Sequence, residues 1–419
     1  MKKSPIKNLR WYIAFLICLA SELNYMDRQT LSVLKVTIQK ALNFDDAGYA
    51  TITATFLWTY AIAYLFAGWI ADRLGSRKTY LFFVTGWSIA NMLHGLATGV
   101  TGFAVCRGAL ATMEPANFPA GLKVVSEWFP MRDRALAVGI FNAGTALGNA
   151  VAVPVAAFLA LRYGWRAAFV FTGAVGFLWV IAWYFLYRKP EEHPRLSAEE
   201  LALITEGREE ESAPRPRVLS LLKMKETWGC ALARLLTDPI SYFLYFWTPS
   251  YLEKERGLNL KQVGMYAWIP FAALTLGNLC SGAVPRLLIS RGWSVNAARK
   301  TWMLMVSLSM PLICFGVTRT QSAVTGVALL AGIMFGHAAW GNITLPAEVF
   351  RNNAVGTVTG IGGFLGGIAG GVTQKIIGTV VASYGYGPIF AICSVMYLAA
   401  LGGVQVLIGK IGELRNVPD

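Results

Sequence analysis

The sequence predicts an all-α membrane protein, with about twelve transmembrane helices in two pseudo-symmetric six-helix bundles. Three observations predict it: apolar stretches of spanning length recur along the whole chain, charge is scarce, and one motif repeats at a constant offset between the halves. Lipid offers no partner for backbone N–H and C=O groups, so a helical crossing needs roughly 20 mostly apolar residues. Only 14% of the 419 residues are charged, where a soluble chain carries about 25%. In the repeat, Glu127-Trp128-Phe129 with Gly139 matches Glu348-Val349-Phe350 with Gly360. Each copy lies where the fourth stretch of its half runs into the fifth, as expected for repeats about an axis normal to the membrane.

The stretches begin near Trp11, Tyr49, Thr79, Val100, Ala135 and Arg166, then near Glu226, Gln262, Arg299, Gln321, Asn353 and Gly387. Lys2, Lys3, Lys7 and Arg10 precede the first, as in a secretory leader. That run continues to about Leu34 with no small-residue cleavage site, so it reads as a span. A polar segment rich in Glu, Arg and Pro separates the halves. The expected division is an N-terminal bundle (1–187), a cytoplasmic linker (188–225) and a C-terminal bundle (226–419). Within the linker, Ser197-Ala198-Glu199-Glu200 resembles a helix start, a capping residue followed by acids in the first turn.

A net charge of +14 invites a nucleic-acid reading, but no basic face interleaved with aromatics appears. The bases instead sit in short loops on one side: Arg73, Arg77 and Lys78; Arg132 and Arg134; the central segment; and Arg286, Arg291, Arg299 and Lys300. The opposite loops carry Asp45, Asp46, Glu253 and Glu255. The positive-inside rule therefore places both termini and the linker in the cytoplasm, in a multi-pass protein of the cell membrane (the inner membrane in a Gram-negative cell). Cys18, Cys106, Cys230, Cys280, Cys314 and Cys393 are far apart within apolar segments and read as buried free thiols. With no metal-ligand spacing, nucleotide loop or nucleophile–base set, neither an enzyme, a cofactor nor an ATP-driven process is expected.

After the second stretch stands Gly68-Trp69-Ile70-Ala71-Asp72-Arg73-Leu74-Gly75-Ser76-Arg77-Lys78. Gly68 and Gly75 permit a tight turn and close helix approach, Asp72 can meet a helix N-terminus or a base, and Arg73 and Arg77 hold the loop inside. The stretch resembles the loop signature of the major facilitator superfamily. In the second half only Gly282 and Ser290-Arg291-Gly292 echo it, without an acidic partner. The first stretch contains Asn24-Tyr25-Met26-Asp27-Arg28-Gln29. The fourth contains Arg107, then Glu114-Pro115-Ala116-Asn117-Phe118-Pro119 and Glu127-Trp128-Phe129-Pro130. Together these resemble the anion:cation symporter family, which moves sugar acids and other carboxylates with protons or sodium. Thr237-Asp238-Pro239 through Tyr245-Phe246-Trp247, and Gly336-His337-Ala338-Ala339-Trp340, resemble its bacterial hexuronate branch. The resemblance covers nearly the whole chain. It implies import of a hexuronate such as glucuronate or galacturonate with a proton, by alternating access in a monomer. An aldonate or another organic carboxylate is the alternative. The resemblance gives Arg28 as substrate clamp and Asp27 and Glu114 as proton carriers, with Arg107 binding substrate or holding Glu114.

Physical chemistry points to the same residues. Ionisable groups inside a span cost several kcal/mol and are functional suspects. Counted from the span ends at 1.5 Å per residue, Arg28 and Arg107 reach similar depth, and Glu114, seven residues past Arg107, lies two turns deeper on the same face. With both carboxylates ionised the four charges cancel. Protonating Asp27 or Glu114 leaves an excess positive charge that a substrate carboxylate can satisfy, so proton and anion favour each other's binding. The guanidinium fork suits a carboxylate. Two buried salt bridges that only hold the spans together would look the same in sequence. Glu22, one and a half turns before Asp27, is either a third titrating group or a hydrogen-bonded residue of the lumen.

Sugar hydroxyls need polar partners and a stacking surface. Tyr25, Tyr60 and Tyr64 have suitable depth, as do Tyr242, Tyr245 and Trp247, then His337, Trp340 and Asn342. Aromatics in spans also serve packing and interfacial belts. His337 is of the type that exchanges protons near neutrality, and equally one that is simply hydrogen-bonded. Gly356, Gly360, Gly363, Gly367 and Gly371 form a small-residue stripe for close helix contact, static or sliding. A drug:proton antiporter would carry a Gly-Pro pair in its fifth span. Gly144-Thr145-Ala146-Leu147-Gly148-Asn149 has none. A non-transporting sensor would need an effector domain, and the loops leave no room for one.

Overall fold

The computed structural model describes residues 5–205, 217–413 and 415. The linker stretch 206–216 and the lysines at positions 2 and 3, read above from sequence, lie outside the described residues. Among those described, the chain is almost wholly helical, with one isolated bridge between Phe350 and Arg415. The first helices are α1 (Leu9–Leu42), α2 (Asp46–Leu93), α3 (Val100–Met113), α4 (Asn117–Trp128), α5 (Met131–Tyr163), α6 (Trp165–Leu186) and the linker helix α7 (Ala198–Thr205). Then come α8 (Val218–Leu222), α9 (Lys225–Arg256), α10 (Leu260–Tyr266), α11 (Trp268–Ser290), α12 (Val295–Arg319), α13 (Ala323–Trp340), α14 (Leu345–Val349), α15 (Asn352–Tyr384) and α16 (Gly387–Leu407). Eight helical stretches among the described residues are long and apolar enough to cross a bilayer. One of these, Asp46–Leu96, is 51 residues long, about twice what a single crossing requires. It joins the second and third predicted spans across Gly75, whose φ of 75° and ψ of 159° interrupt the helix. α1 and α9 are 34 and 32 residues long but interrupted by polar and charged side chains. Bulky apolar residues such as Phe185, Leu178 and Leu312 stand on the outside, where water would disfavour them and lipid does not.

The chain groups into two compact units, Met1–Leu31 with Ile62–Ser212, and Ser32–Ala61 with Ala213–Asp419. In the first, α5 packs on α6, and Tyr80, Trp179, Trp183 and Tyr187 form an aromatic column with ring centroids 4.0–5.3 Å apart. The linker helix α7 belongs to this unit. Ser197 Oγ accepts from Glu200 N at 3.1 Å, the cap expected from sequence. The Glu200 carboxylate in turn accepts from Leu9 N (3.1 Å) and Arg10 N (3.2 Å) and pairs with Arg10 Nη1 at 3.3 Å. An acid on the linker thus satisfies the unpaired N–H groups that begin α1.

In the second unit α9 packs against α15 and α16, and α11 against α13. Lys35, on the C-terminal part of α1, is fully buried. It pairs with Asp46 (3.0 Å), donates to Ser250 Oγ (3.2 Å) and lies 3.6 Å from the Trp247 ring centroid. Lys254 reaches the same Asp46 at 2.8 Å. α13 stops where Gly341 takes a left-handed φ of 73°. Arg299 crosses that break, donating to Glu348 Oε2 (2.9 Å), Ser281 O (2.7 Å), Gly341 O (3.3 Å) and Thr344 Oγ1 (2.6 Å). The sequence placed Arg299 in a basic loop. It is instead buried in the first turns of α12, since Ser294 caps that helix earlier, and carbonyls freed by the α13 break need its donors. All six cysteines are free; Cys106 and Cys280 are half-buried and the others buried.

Candidate functional site

Pro115 has no N–H to extend the α3 ladder, so the fourth predicted span breaks into α3, a 3-10 turn (Glu114–Ala116) and α4. The break carries Glu114 to α1, where Arg28 Nε donates to Glu114 Oε2 at 2.5 Å. Glu114 is fully buried, and Arg28 keeps 13% of its side chain accessible. Glu114 Oε1 is buried with no hydrogen-bond partner among the described residues. The Arg28 guanidinium lies 4.7 Å from the Tyr25 ring centroid. Arg107 Nη2 donates to Arg28 O at 3.0 Å, which agrees with the similar depths counted from sequence. Asn117, just beyond the break, donates to Ser21 Oγ on α1 at 3.0 Å.

Asp27 does not join this cluster. Successive residues on a helix diverge by about 100°, and Asp27 turns away from Arg28 towards α2. There Asn91 Nδ2 donates to Asp27 Oδ1 (2.7 Å) and also lies 2.7 Å from Thr172 Oγ1 of α6. Among the described residues Asp27, 1% exposed, has a neutral partner and no ion pair. The four-charge cluster expected from sequence is thus an arginine–glutamate pair with Arg107 alongside, and a separate buried aspartate. Glu22 is half-buried on α1, and Tyr64 half-buried on α2.

Gly75 supplies the sharp bend of the loop motif. Asp72 meets a base as expected: Lys123 Nζ on α4 lies 3.4 Å from its Oδ1. Arg73 stacks over Trp69 (4.4 Å) and Arg77 Nη2 donates to Tyr184 O (2.8 Å). Ser76 Oγ and Tyr187 OH both donate to Glu127 Oε2, at 2.6 and 2.5 Å. Glu127 therefore anchors the loop in the first unit, and its repeat mate Glu348 anchors Arg299 in the second. Gly68 does not serve close approach, for a Cβ there would meet nothing within 4 Å.

In the second unit Tyr60 stacks on Phe56 with ring centroids 5.7 Å apart. His337 Nδ1 shares a 2.8 Å hydrogen bond with Tyr397 OH. Trp340 is wholly buried, its indole donating to Ser307 Oγ at 2.9 Å. Asn342 Nδ2 donates to Thr237 Oγ1 (2.7 Å) and Asp238 Oδ1 (3.0 Å) on α9. Asp238 Oδ2 accepts from Arg234 Nε at 2.9 Å. The glycine stripe of α15 accordingly has three environments. Gly356 and Gly360 face open space, and a Cβ at Gly363 would come 2.9 Å from Arg234 Nη1, so that glycine admits a charged side chain. At Gly367 a Cβ would come 3.0 Å from Ala61 Cβ and at Gly371 it would collide with the Trp58 indole, so close contact with α2 is made there.

A profile of the Major Facilitator Superfamily matches residues 17–374. The chain belongs to the Major Facilitator Superfamily. As a major facilitator it is a multi-pass membrane transporter and not an enzyme. Among named relatives it is similar to the "Hexuronate transporter" of Escherichia coli (strain K12), with 32% identity over 94% of this chain and 92% of the relative. It is 34% identical to the "Galacturonate transporter" of Dickeya chrysanthemi over 73% of this chain and 90% of that one. A crystal structure of a bacterial homolog to the human lysosomal transporter Spinster, inward-facing and unoccupied, matches with a TM-score of 0.75. It has 17% identity and 96% coverage of both chains, a likeness of fold.

A scan for charges in the spans passes over Asn91, Thr172, Asn117 and Ser21, which are neutral. The pair Arg234–Asp238 was readable as an i,i+4 arginine and aspartate on one helix face.

Proposed function

We propose that this transporter imports a sugar-acid anion, a hexuronate such as glucuronate or galacturonate, by proton symport through alternating access. The observation that carries the reading is the Arg28–Glu114 pair, 2.5 Å long, with the second Glu114 oxygen buried and unpartnered among the described residues. A buried arginine must keep a counter-charge, because an unpaired buried ion is strongly destabilising. A proton on Glu114 removes that counter-charge, and the substrate carboxylate supplies a new one. Proton and anion therefore favour each other's binding, and the coupling is reciprocal. Arg28 clamps the carboxylate, steadied by the Tyr25 ring, and Arg107 holds the α1 backbone beside it. Asp27, hydrogen-bonded by the neutral Asn91 and in no ion pair among the described residues, is the second proton carrier. Tyr60, Tyr64, His337, Trp340 and Asn342 serve the sugar end.

The same reading takes twelve crossings in two bundles, 1–187 and 226–419, joined by the cytoplasmic linker 188–225. Both termini are cytoplasmic, the protein resides in the cell (inner) membrane, and the working unit is a monomer. The loop motif Gly68, Asp72, Arg73, Gly75 and Arg77 guards the cytoplasmic side. The relatives' names support the sugar-acid class. The test is uptake of labelled glucuronate and galacturonate by purified protein in liposomes, with an inward proton gradient, an inward sodium gradient, or neither. Accumulation with the proton gradient alone is expected. Accumulation driven by sodium alone, or by neither, would remove proton coupling.

A further inference from the structure

Asn342 begins the 3-10 turn that follows the Gly341 break, and hydrogen-bond bookkeeping fixes which way its amide is turned. Thr237 Oγ1 spends its one hydrogen on Ala233 O at 2.8 Å, so towards Asn342 it can only accept. Asp238 is held by Arg234 through Nε and Nη2, each at 2.9 Å, and an ionised carboxylate also only accepts. Arg234 is fixed in turn by donating from Nη1 to Thr359 O at 3.1 Å. Two acceptors, 2.7 and 3.0 Å away, claim both hydrogens of Asn342 Nδ2. The amide cannot flip without setting its oxygen against a carboxylate. Thr237, Asp238 and Asn342 are 1%, 5% and 6% exposed, so water does not readily replace these partners. Among the described residues no donor reaches Asn342 Oδ1.

We propose that Asn342 presents its amide oxygen to one hydroxyl of a polyhydroxylated carboxylate, and that Thr237, Asp238 and Arg234 are positioning residues that hold it so. This deepens the sugar-acid reading and rests on it. An amide oxygen repels a carboxylate but accepts from an alcohol, so Asn342 selects for a hydroxyl. Acids without that hydroxyl leave this acceptor unpaired once the bound ligand shuts out water, and are discriminated against.

The experiment is competition against labelled galacturonate or glucuronate uptake in proteoliposomes, using the unlabelled parent acid and its series of monodeoxy analogues. In the native protein one analogue should compete about tenfold more weakly than the parent. Asn342→Ala should bring parent and analogue to the same affinity. Asp238→Asn, which no longer dictates the amide's orientation, should lose most of that discrimination while still binding the analogue as the native protein does. Asp238→Glu should recover part of it, and a merely structural role would not move this ratio. If Asn342→Ala fails to fold, Asn342→Leu, which keeps the shape of the side chain without its amide oxygen, decides by the same ratio. Uptake with the native ratio unchanged in the folded variants overturns the proposal and leaves the transport reading intact. Absence of uptake of either acid by the native protein overturns the transport reading and this proposal with it.

Discussion

Asp27 and Arg28 are adjacent in sequence yet belong to different polar groups, because one residue step on a helix is a change of face. The sequence made both visible as intramembrane charges, and their spacing from the span ends brought Arg28 level with Arg107. Their partners were harder to read, since those depend on how α2, α3 and α6 pack around α1, and Asn91 and Thr172 carry no charge to draw notice. At this scale the stability of the Arg28–Glu114 pair is testable. Arg28→Ala leaves a buried carboxylate without its cation and should destabilise by about 3–5 kcal/mol. Adding Glu114→Gln removes the stranded charge, so the double variant should unfold at a higher temperature than Arg28→Ala alone. Thermal unfolding in detergent measures this. A double variant less stable than either single one would mean that the two residues do not pair.

At the scale of elements, Ser197 marked the start of the linker helix, whereas the helix breaks at Pro115 and Gly341 came only with the structure. The docking of that linker needed coordinates. His193 Nε2 lies 3.1 Å from Leu186 O and Nδ1 accepts from Arg195 N at 3.2 Å, so the ring donates through Nε2 and accepts through Nδ1. Burial pushes the His193 pKa down, and Arg188 and Arg195 push the same way against the Leu186 carbonyl. In the undocked chain the ring titrates near its ordinary value of about 6.5. Above that value it is neutral in both states and costs nothing. As pH falls through it, the undocked form takes up a proton that the docked form resists, so docking weakens in acid. Amide hydrogen exchange around residues 190–196, corrected for intrinsic rates, should be faster at about pH 5.5 than at about pH 7.5. Equal protection at both would show that His193 does not hold the linker.

At the scale of the whole molecule, scarce charge and recurring apolar stretches were enough to read a helical membrane protein, because the bilayer permits so few alternatives. The repeat of Glu127 and Glu348 was also informative, and both prove to be anchors. Their partners differ: a serine and a tyrosine for one, the buried Arg299 for the other. No periodicity in the sequence separates a loop arginine from one that stitches a broken helix. The central claim is that Glu114 exchanges its hold on Arg28 for a proton when substrate arrives. The most direct test compares Glu114→Gln with native protein in two assays on the same proteoliposomes, gradient-driven accumulation and substrate counterflow without a gradient. The account predicts that Glu114→Gln loses accumulation but retains counterflow, since glutamine mimics the protonated acid and leaves Arg28 ready for the anion. Retained accumulation under the proton gradient would contradict it.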